Sequence, residues 1–318
     1  MIQTFLVVGI FLVSTQSILN AVEPKVEFRG SLNSELGVTR SGNVYAPEIR
    51  RVKSLWFMWY GGQGLDGHDR IHLATSVDLK AWTKKGVVLV ETGVNHQNDP
   101  SCVNVGGVWW MFYTRAAQGI NDEIAAATSA DGINWTRRGV VFRPSSGSGW
   151  DSLVVSRPSV LYESGIYKLW YDARGLKPGA VRPTTTTPED LLAVAGPRAI
   201  GYAESNDGLT WRRYGQTSVF GEGAGAIHVK HLPDGYVMLY ESQQGTKWAS
   251  SSDGRAWTVR GLLAPVSGSA IDSGGHVTPW LYAPENTSQW AIYFGCNSGD
   301  WSKNLMASIP ITRFQAAP

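Results

Sequence analysis

Four copies of one short pattern constrain the fold of this chain more than any other feature. Ser-x-Asp-x-x-x-Trp runs from Ser76 to Trp82, Ser129 to Trp135, Ser205 to Trp211 and Ser251 to Trp257, and in the last three a Gly follows the Asp. Successive copies lie about 45 to 75 residues apart, a spacing of blade-like all-β repeats and not of helical solenoids. Asp-Gly takes positive φ readily at both centres of a two-residue turn, so each copy predicts a tight hairpin reversal. The Trp after each turn is then expected to pack between neighbouring sheets.

A second element recurs with the first. Aromatic-rich strands are expected at 55–60, 109–113, 167–171, 236–240 and 290–294, which makes five units. Each follows another apolar strand, the units starting near Val44, Asn98, Ser156, Gly225 and Val277. Four of these first strands carry an Xaa-Pro pair: Ala46-Pro47, Asp99-Pro100, Arg157-Pro158 and Thr278-Pro279. Proline is tolerated where a strand starts, because no ladder donor is needed there. The segment from Val26 to Thr39 lacks an aromatic partner, and in a circular array it would pair with the last unit and close the ring. The expected fold is all-β: a five-bladed β-propeller of four-stranded antiparallel blades, closed by an N-terminal strand.

At 318 residues, 43% hydrophobic and 17% charged, the chain suffices for one large all-β domain without requiring two. A formal net charge of +2 and the lack of any Lys/Arg run exclude nucleic acid as a natural partner. The apolar run from Phe5 to Val13 is too short to span a bilayer and is followed by polar residues and Ala21. Residues 1–21 therefore read as a secretory signal, with an uncleaved anchor as the alternative because no Lys or Arg precedes the run. Residues 22–318 read as a single propeller domain, secreted or periplasmic, with no stable membrane partner once the signal is cleaved. Cys102 and Cys296 fall in different units and are expected to be free thiols.

Propeller topology sorts these residues by face. With strands a to d running outward from the axis, the starts of the a strands and the ends of the b strands share one face, and the Ser-x-Asp turns lie on the other. The repeated Asp residues are thus structural. The functional face collects Glu48, Asn98, Asp99, Asp151, Arg157, Glu222, Asp272 and His276 from a-strand entrances, and Arg115, Asp172, Arg174, Glu241 and Asn297 from b-strand ends. An insertion from Arg174 to Arg198 joins strands b and c of the third unit and reads as a lid over that face.

Converging Asp and Glu side chains with aromatic neighbours suit glycoside hydrolysis, in which one carboxylic acid protonates the leaving oxygen and another acts as base or nucleophile. No phosphate-binding loop, Cys/His metal cluster or Gly-x-Ser-x-Gly elbow competes with that reading. No cofactor is called for, and carbohydrate is the expected partner.

Three sets of residues carry a resemblance to a known group. The Ser-Ala-Asp131-Gly-Ile-Asn-Trp135 copies, Tyr45-Ala46-Pro47-Glu48-Ile49 and Asn98-Asp99-Pro100 resemble motifs of the five-bladed propeller glycosidases, arabinanase-, β-xylosidase- and invertase-like enzymes of glycoside hydrolase families 43 and 32 and relatives. The resemblance covers essentially the whole mature chain. It implies an Asp at an inner-strand start as base or nucleophile, a second Asp that tunes it, and a Glu as general acid. Asp99 matches the first role, and Gly221-Glu222-Gly223 resembles the acid element. Arg157-Pro158 departs from the pattern where a second Asp-Pro is expected, so Asp151 or Asp172 would take the tuning role, with Glu48 a further catalytic candidate. Arg157, Arg115 and Arg174 with Asp172 and Glu241 would bind substrate, Arg157 through a uronate or sulfate group or else held in a salt bridge. His276, after Gly274-Gly275, is similar to a Gly-His element that organises the axial site, where the resemblance allows a structural ion. A glycoside phosphorylase of the same fold, a non-catalytic carbohydrate-binding propeller and, behind them, a sialidase are the alternatives.

Overall fold

The computed structural model describes residues 21–29, 42–117, 122–183, 188–300 and 303–316. Residues 1–20 of the signal segment and the whole stretch from 30 to 41 lie outside the described residues, as do Thr184 to Thr187 of the insertion. Five four-stranded antiparallel sheets stand in a ring, each numbered outward from the axis. The first blade is β2 (Val44–Val52), β3 (Leu55–Gln63), β4 (Asp69–Ser76) and β5 (Thr83–Leu89). The second is β6 (Val94–Val105), β7 (Val108–Ala117), β8 (Glu123–Ser129) and β9 (Thr136–Phe142). The third is β10 (Val154–Glu163), β11 (Ile166–Arg174), β12 (Ala199–Ser205) and the short β13 (Arg212–Arg213). The fourth is β14 (His228–Leu232), β15 (Gly235–Tyr240), β16 (Gly245–Ser251) and β17 (Thr258–Pro265). The fifth takes β18 (Gly275–Tyr282), β19 (Gln289–Asn297) and β20 (Leu305–Thr312) from the C-terminal end of the sequence and its outermost strand, β1 (Lys25–Phe28), from the N-terminal end. Register pairs Lys25 with Ser308 and Val26 with Ala307, so the ring closes as the lone strand anticipated.

The aromatic second strands supply the packing between blades. Trp135, at the end of its turn, sits 5.9 Å from Trp59 of the preceding blade, Trp211 lies 5.5 Å from Phe112, and Trp82 lies 6.5 Å from Tyr293 across the closure. The indole Nε1 of Trp59 donates to the Gly132 carbonyl at 2.8 Å, and that of Trp170 to Gly254 at 2.6 Å, so two blade interfaces carry the same latch. Fully burying an aromatic side chain is worth about 1.5–3 kcal/mol, and the latch satisfies the one polar atom the indole carries inward.

The turns differ from the two-residue hairpins expected from Asp-Gly. Six residues separate β8 from β9, and only the Gly has positive φ: Gly132 at 76°, Gly208 at 73° and Gly254 at 74°. The Asp side chain takes over the work of a backbone turn. Asp131 Oδ1 accepts from the amides of Ile133 and Asn134, both at 2.8 Å, while Ser129 Oγ accepts from the Asp131 and Gly132 amides. The first copy has Leu79 at the Gly position, still at φ 65°.

Inner strands share a second device. Register shifts fall at Tyr45/Glu48, Asn98/Ser101, Ser156/Ser159 and Val277/Trp280, bulges that enclose the four Xaa-Pro pairs. The residue before each proline has positive φ: Ala46 51°, Asp99 51°, Arg157 47° and Thr278 49°, with Ala226 at 49° in the fourth blade. All five line the cavity on the axis. Two residues farther along, side chains tie blade to blade: Glu48 accepts from the Cys102 amide, Ser101 Oγ from Val160, Ser159 Oγ from Val229 and His228 Nδ1 from Leu281. Both cysteines are free and buried.

Candidate active site

Five left-handed residues, four at bulges and Ala226 just before β14, bring one position of each blade to a narrow axial cavity of about 30 Å³, and only two of these five positions carry charge. Asp99 and Arg157 occupy adjacent blades, with Arg157 Nε 3.9 Å from Asp99 Oδ2. Asp99 is 6% exposed, and its Oδ1 has no hydrogen-bond partner among the described residues. Burial pushes its carboxyl up to about 6, although Arg157 and a hydrogen bond from Thr114 pull the other way, and the nearby Asp122 charge adds to the rise.

Arg157 also lines a wider pocket of about 430 Å³ on the same face, and so joins the two spaces. A series of alternating charges leads outward from it. Arg157 Nη1 donates to Asp172 Oδ2 at 3.4 Å, Arg198 Nε donates to the same oxygen at 3.1 Å, and Arg198 Nη1 donates to Glu241 Oε1 at 2.6 Å. The Ala226 amide adds a further donor to Asp172 at 3.2 Å. Burial alone would raise the Asp172 pKa, but Arg198 and Arg157 hold it below the ordinary carboxylate range. Opposite these groups stand Asp69, His96, Asn98 and Asp122. His96 Nε2 lies 3.3 Å from Asp122 Oδ1, and that contact, against the effect of burial, raises the imidazole pKa. Tyr45 ties the first blade to the second, donating to Asp69 Oδ2 at 2.7 Å and accepting from Asn98 Nδ2 at 2.5 Å.

Of the residues expected from sequence, Asp99, Arg157, Asp172, Arg174 and Glu241 are brought together here. Glu48 lines the axial cavity as well, and four others are held elsewhere. Glu222 is exposed on a turn, at φ 59°, because Ala226 and not Glu222 occupies the left-handed axial position of the fourth blade. Glu48, on the wall of the axial cavity, is engaged there: it accepts from the Cys102 amide and from Arg50 Nε at 2.5 Å. Asp151 is buried under Arg213, Tyr171 and Ser145, at 2.7, 3.0 and 2.5 Å, and braces the outer strand of the third blade. Arg115 is spent on Glu91 and Glu123 at 2.8 and 2.7 Å. His276 is stacked on Phe294, its Nδ1 3.0 Å from Thr246 Oγ1 and its Nε2 3.5 Å from Asp272, and it lines neither space.

Asp69, Asp122 and Arg198 were not anticipated. Each stands at or one residue before the start of a third strand: β4, β8 and β12. A third strand departs from the face to which the second returns, so its start belongs to the functional face as fully as the other two positions. The insertion supplies the pocket's rim through helix α1 (Pro188–Val194), which contributes Leu191 and Leu192 and is followed by Ala195. Among the described residues no group of three or more His, Cys, Asp or Glu side chains is placed to hold a metal ion.

No protein-family model matches the chain. An uncharacterized protein of Mycobacterium tuberculosis is 30% identical over 123 residues, 37% of this chain and 34% of that protein, so the chain spans about a third of the curated relatives it matches. Solved structures match over nearly the full length. A structure described as a complex of BT0996 with RGII aligns with TM-score 0.73 at 17% identity over 94% of both proteins. A family 117 glycoside hydrolase of the marine bacterium Zobellia galactanivorans aligns at 0.65 and 14% identity, over 91% of this chain and 90% of that one. A structure from the GH130 family of mannoside phosphorylases, described as containing glycoside hydrolases that target beta-1,2 mannosidic linkages in Candida mannan, aligns at 0.61 and 16% identity over 94% of both. These names point to families 117 and 130 where the sequence motifs pointed to 43 and 32. At such identities it is the fold that is held in common: the chain is a five-bladed β-propeller of the kind built by glycoside hydrolases and glycoside phosphorylases.

Proposed function

We propose that the chain is an exported glycoside hydrolase acting on plant or algal poly- or oligosaccharides, with Asp99 as the proton-transferring carboxyl and Asp122 as the second carboxylate. The observation that carries this reading is the state of Asp99. It is buried in the axial cavity, with one oxygen unpartnered among the described residues and a pKa of about 6, beside Arg157, which also lines the open polar pocket. A carboxyl poised there exchanges its proton near neutral pH, which both halves of glycosidic acid/base chemistry require. Asp172 acts at one remove: by engaging Arg157 it positions the cation that faces Asp99. Export rests on the apolar N-terminal segment.

The test is a turnover screen of the purified protein on neutral and acidic glycans and aryl glycosides, beside Asp99→Asn and Asp122→Asn. Each substitution is expected to lower kcat by about a hundredfold or more. A second reading, a carbohydrate-binding propeller without turnover, is favoured by one observation: of the carboxylates around the axis only Asp99 keeps an unpartnered oxygen among the described residues, while Glu48 is paired with Arg50, and Asp172 and Glu241 are both tied to Arg198. Glycan binding without turnover on any substrate would establish it instead.

A further inference from the structure

The pocket is electrically divided. The first two blades contribute Asp69, Asp122 and His96, with Asp99 in the adjoining axial cavity, and the third contributes Arg157, Arg174 and Arg198. Two of the three guanidiniums are committed, Arg157 to Asp99 and Asp172 and Arg198 to Asp172 and Glu241. Arg174 is not. Among the described residues no carboxylate lies within ion-pair distance of it, and its side chain donates to the Gly196 carbonyl at 3.2 Å. Burial, and then the charges of Arg198 and Arg157, push its pKa below the usual arginine value, outweighing the opposite pull of the more distant Asp172 and Glu241. A half-buried cation crowded by cations is stabilised by any anion that reaches it. Leu191, Leu192 and Ala195 cover the same pocket with apolar surface, which lowers the local dielectric and strengthens such a contact.

We propose that Arg174 forms an oxyanion subsite and that its occupant is the carboxylate of a uronic acid unit in the substrate. The opposite wall selects this source over a free oxyanion. Asp69 and Asp122 accept hydrogen bonds, which the hydroxyls of a sugar ring supply and inorganic phosphate, a dianion with few protons, does not. A uronate thus meets both walls: its carboxylate forms a fork-to-fork pair with the guanidinium, and its hydroxyls face the carboxylates. The proposal takes its chemistry from the glycoside hydrolase reading, but the binding it describes does not depend on turnover.

Calorimetric titration of the full chain separates the two. The probes are a uronate-bearing oligosaccharide, the same oligosaccharide after reduction of its carboxyl groups to alcohols, a sulfated neutral oligosaccharide and inorganic phosphate. The acidic oligosaccharide is expected to bind about tenfold or more tightly than its reduced form. That preference should be lost in Arg174→Gln, be partly kept in Arg174→Lys and weaken with salt, with thermal melts showing both variants folded. Asp99→Asn should retain the preference while turnover is lost. Equal affinity for the acidic and reduced oligosaccharides, or a preference that persists in folded Arg174→Gln, overturns the proposal. So does Arg174-dependent binding confined to phosphate or to the sulfate ester. If no glycan is turned over and the preference remains, the hydrolase reading fails and the subsite stands.

Discussion

Arg157 Nε stands 3.9 Å from Asp99 Oδ2, each residue on its own inner strand at the same bulge and with the same left-handed backbone. The cation favours the charged form of Asp99, so its removal must raise that pKa above about 6. Arg157→Gln is expected to move the Asp99-dependent limb of the pH–rate profile upward by about one unit. A limb that stays in place would show that Asp99 is not the titrating group.

Asp99 also carries a stability cost. Its folded pKa of about 6 exceeds the ordinary 3.8, so its contribution to stability is fully present below the unfolded value and is lost as pH rises through the folded one. Asn keeps the shape without the charge and suits the positive φ of 51°. Asp99→Asn should therefore be more stable than the parent above about pH 6, by up to about 3 kcal/mol, and show little difference near pH 4. Chemical denaturation at the two pH values measures both limbs of the comparison.

Arg198 joins two blades through Asp172 and Glu241. Arg198→Met leaves Asp172 buried with the Ala226 amide and the longer contact to Arg157, and is expected to destabilise the fold by about 3–5 kcal/mol. Lys in its place should recover only part of this, since one ammonium cannot reproduce the fork that spans both carboxylates. Full recovery by Lys in a thermal melt would refute the bridging role.

The turns on the opposite face should answer to stability and leave the site's chemistry alone. Asp131 Oδ1 caps two amides, and Asp131→Ala is expected to cost about 1 kcal/mol, a loss of about 2–4 °C in Tm.

Gly132 is more demanding. Its φ is 76°, and an added Cβ would lie 2.9 Å from Trp59 Cζ2, inside the first blade interface. Gly132→Ala is expected to destabilise by about 2 kcal/mol or more, visible as a lower denaturation midpoint with unchanged glycan affinity in the folded protein.

Particular residues show how far the sequence could be read. The Ser-x-Asp-x-x-x-Trp copies announced the blades because a turn capped by its own Asp and followed by an interface Trp is a local solution, repeated wherever a third strand hands over to a fourth. The Xaa-Pro pairs marked the inner strands for a similar reason: proline and the bulge around it are written in consecutive residues. The same locality made Asp99 and Arg157 legible as residues of the axis. Glu222 shows where such locality fails, since a displacement of four residues from the axial position at Ala226 separates the axis from an exposed turn. His276 and Asp151 show another limit, because buried polar residues at strand entrances look alike in sequence whether they face a cavity or a neighbouring blade.

The sequence by itself determined the repeat, the number of blades, the closing strand and which strands carry the Xaa-Pro pairs, all of which follow from short-range patterns of turns, prolines and aromatics. That these pairs sit in bulges inside the strands, not at their starts, came from the structure. Only the tertiary structure decided the site. Whether a charge catalyses, binds or braces depends on which groups from other blades stand within a few ångströms of it. Arg198, 26 residues beyond Asp172 in the sequence and 43 before Glu241, meets both because three strands converge on one face. Electrostatic energy falls with distance in space and takes no account of separation along the sequence.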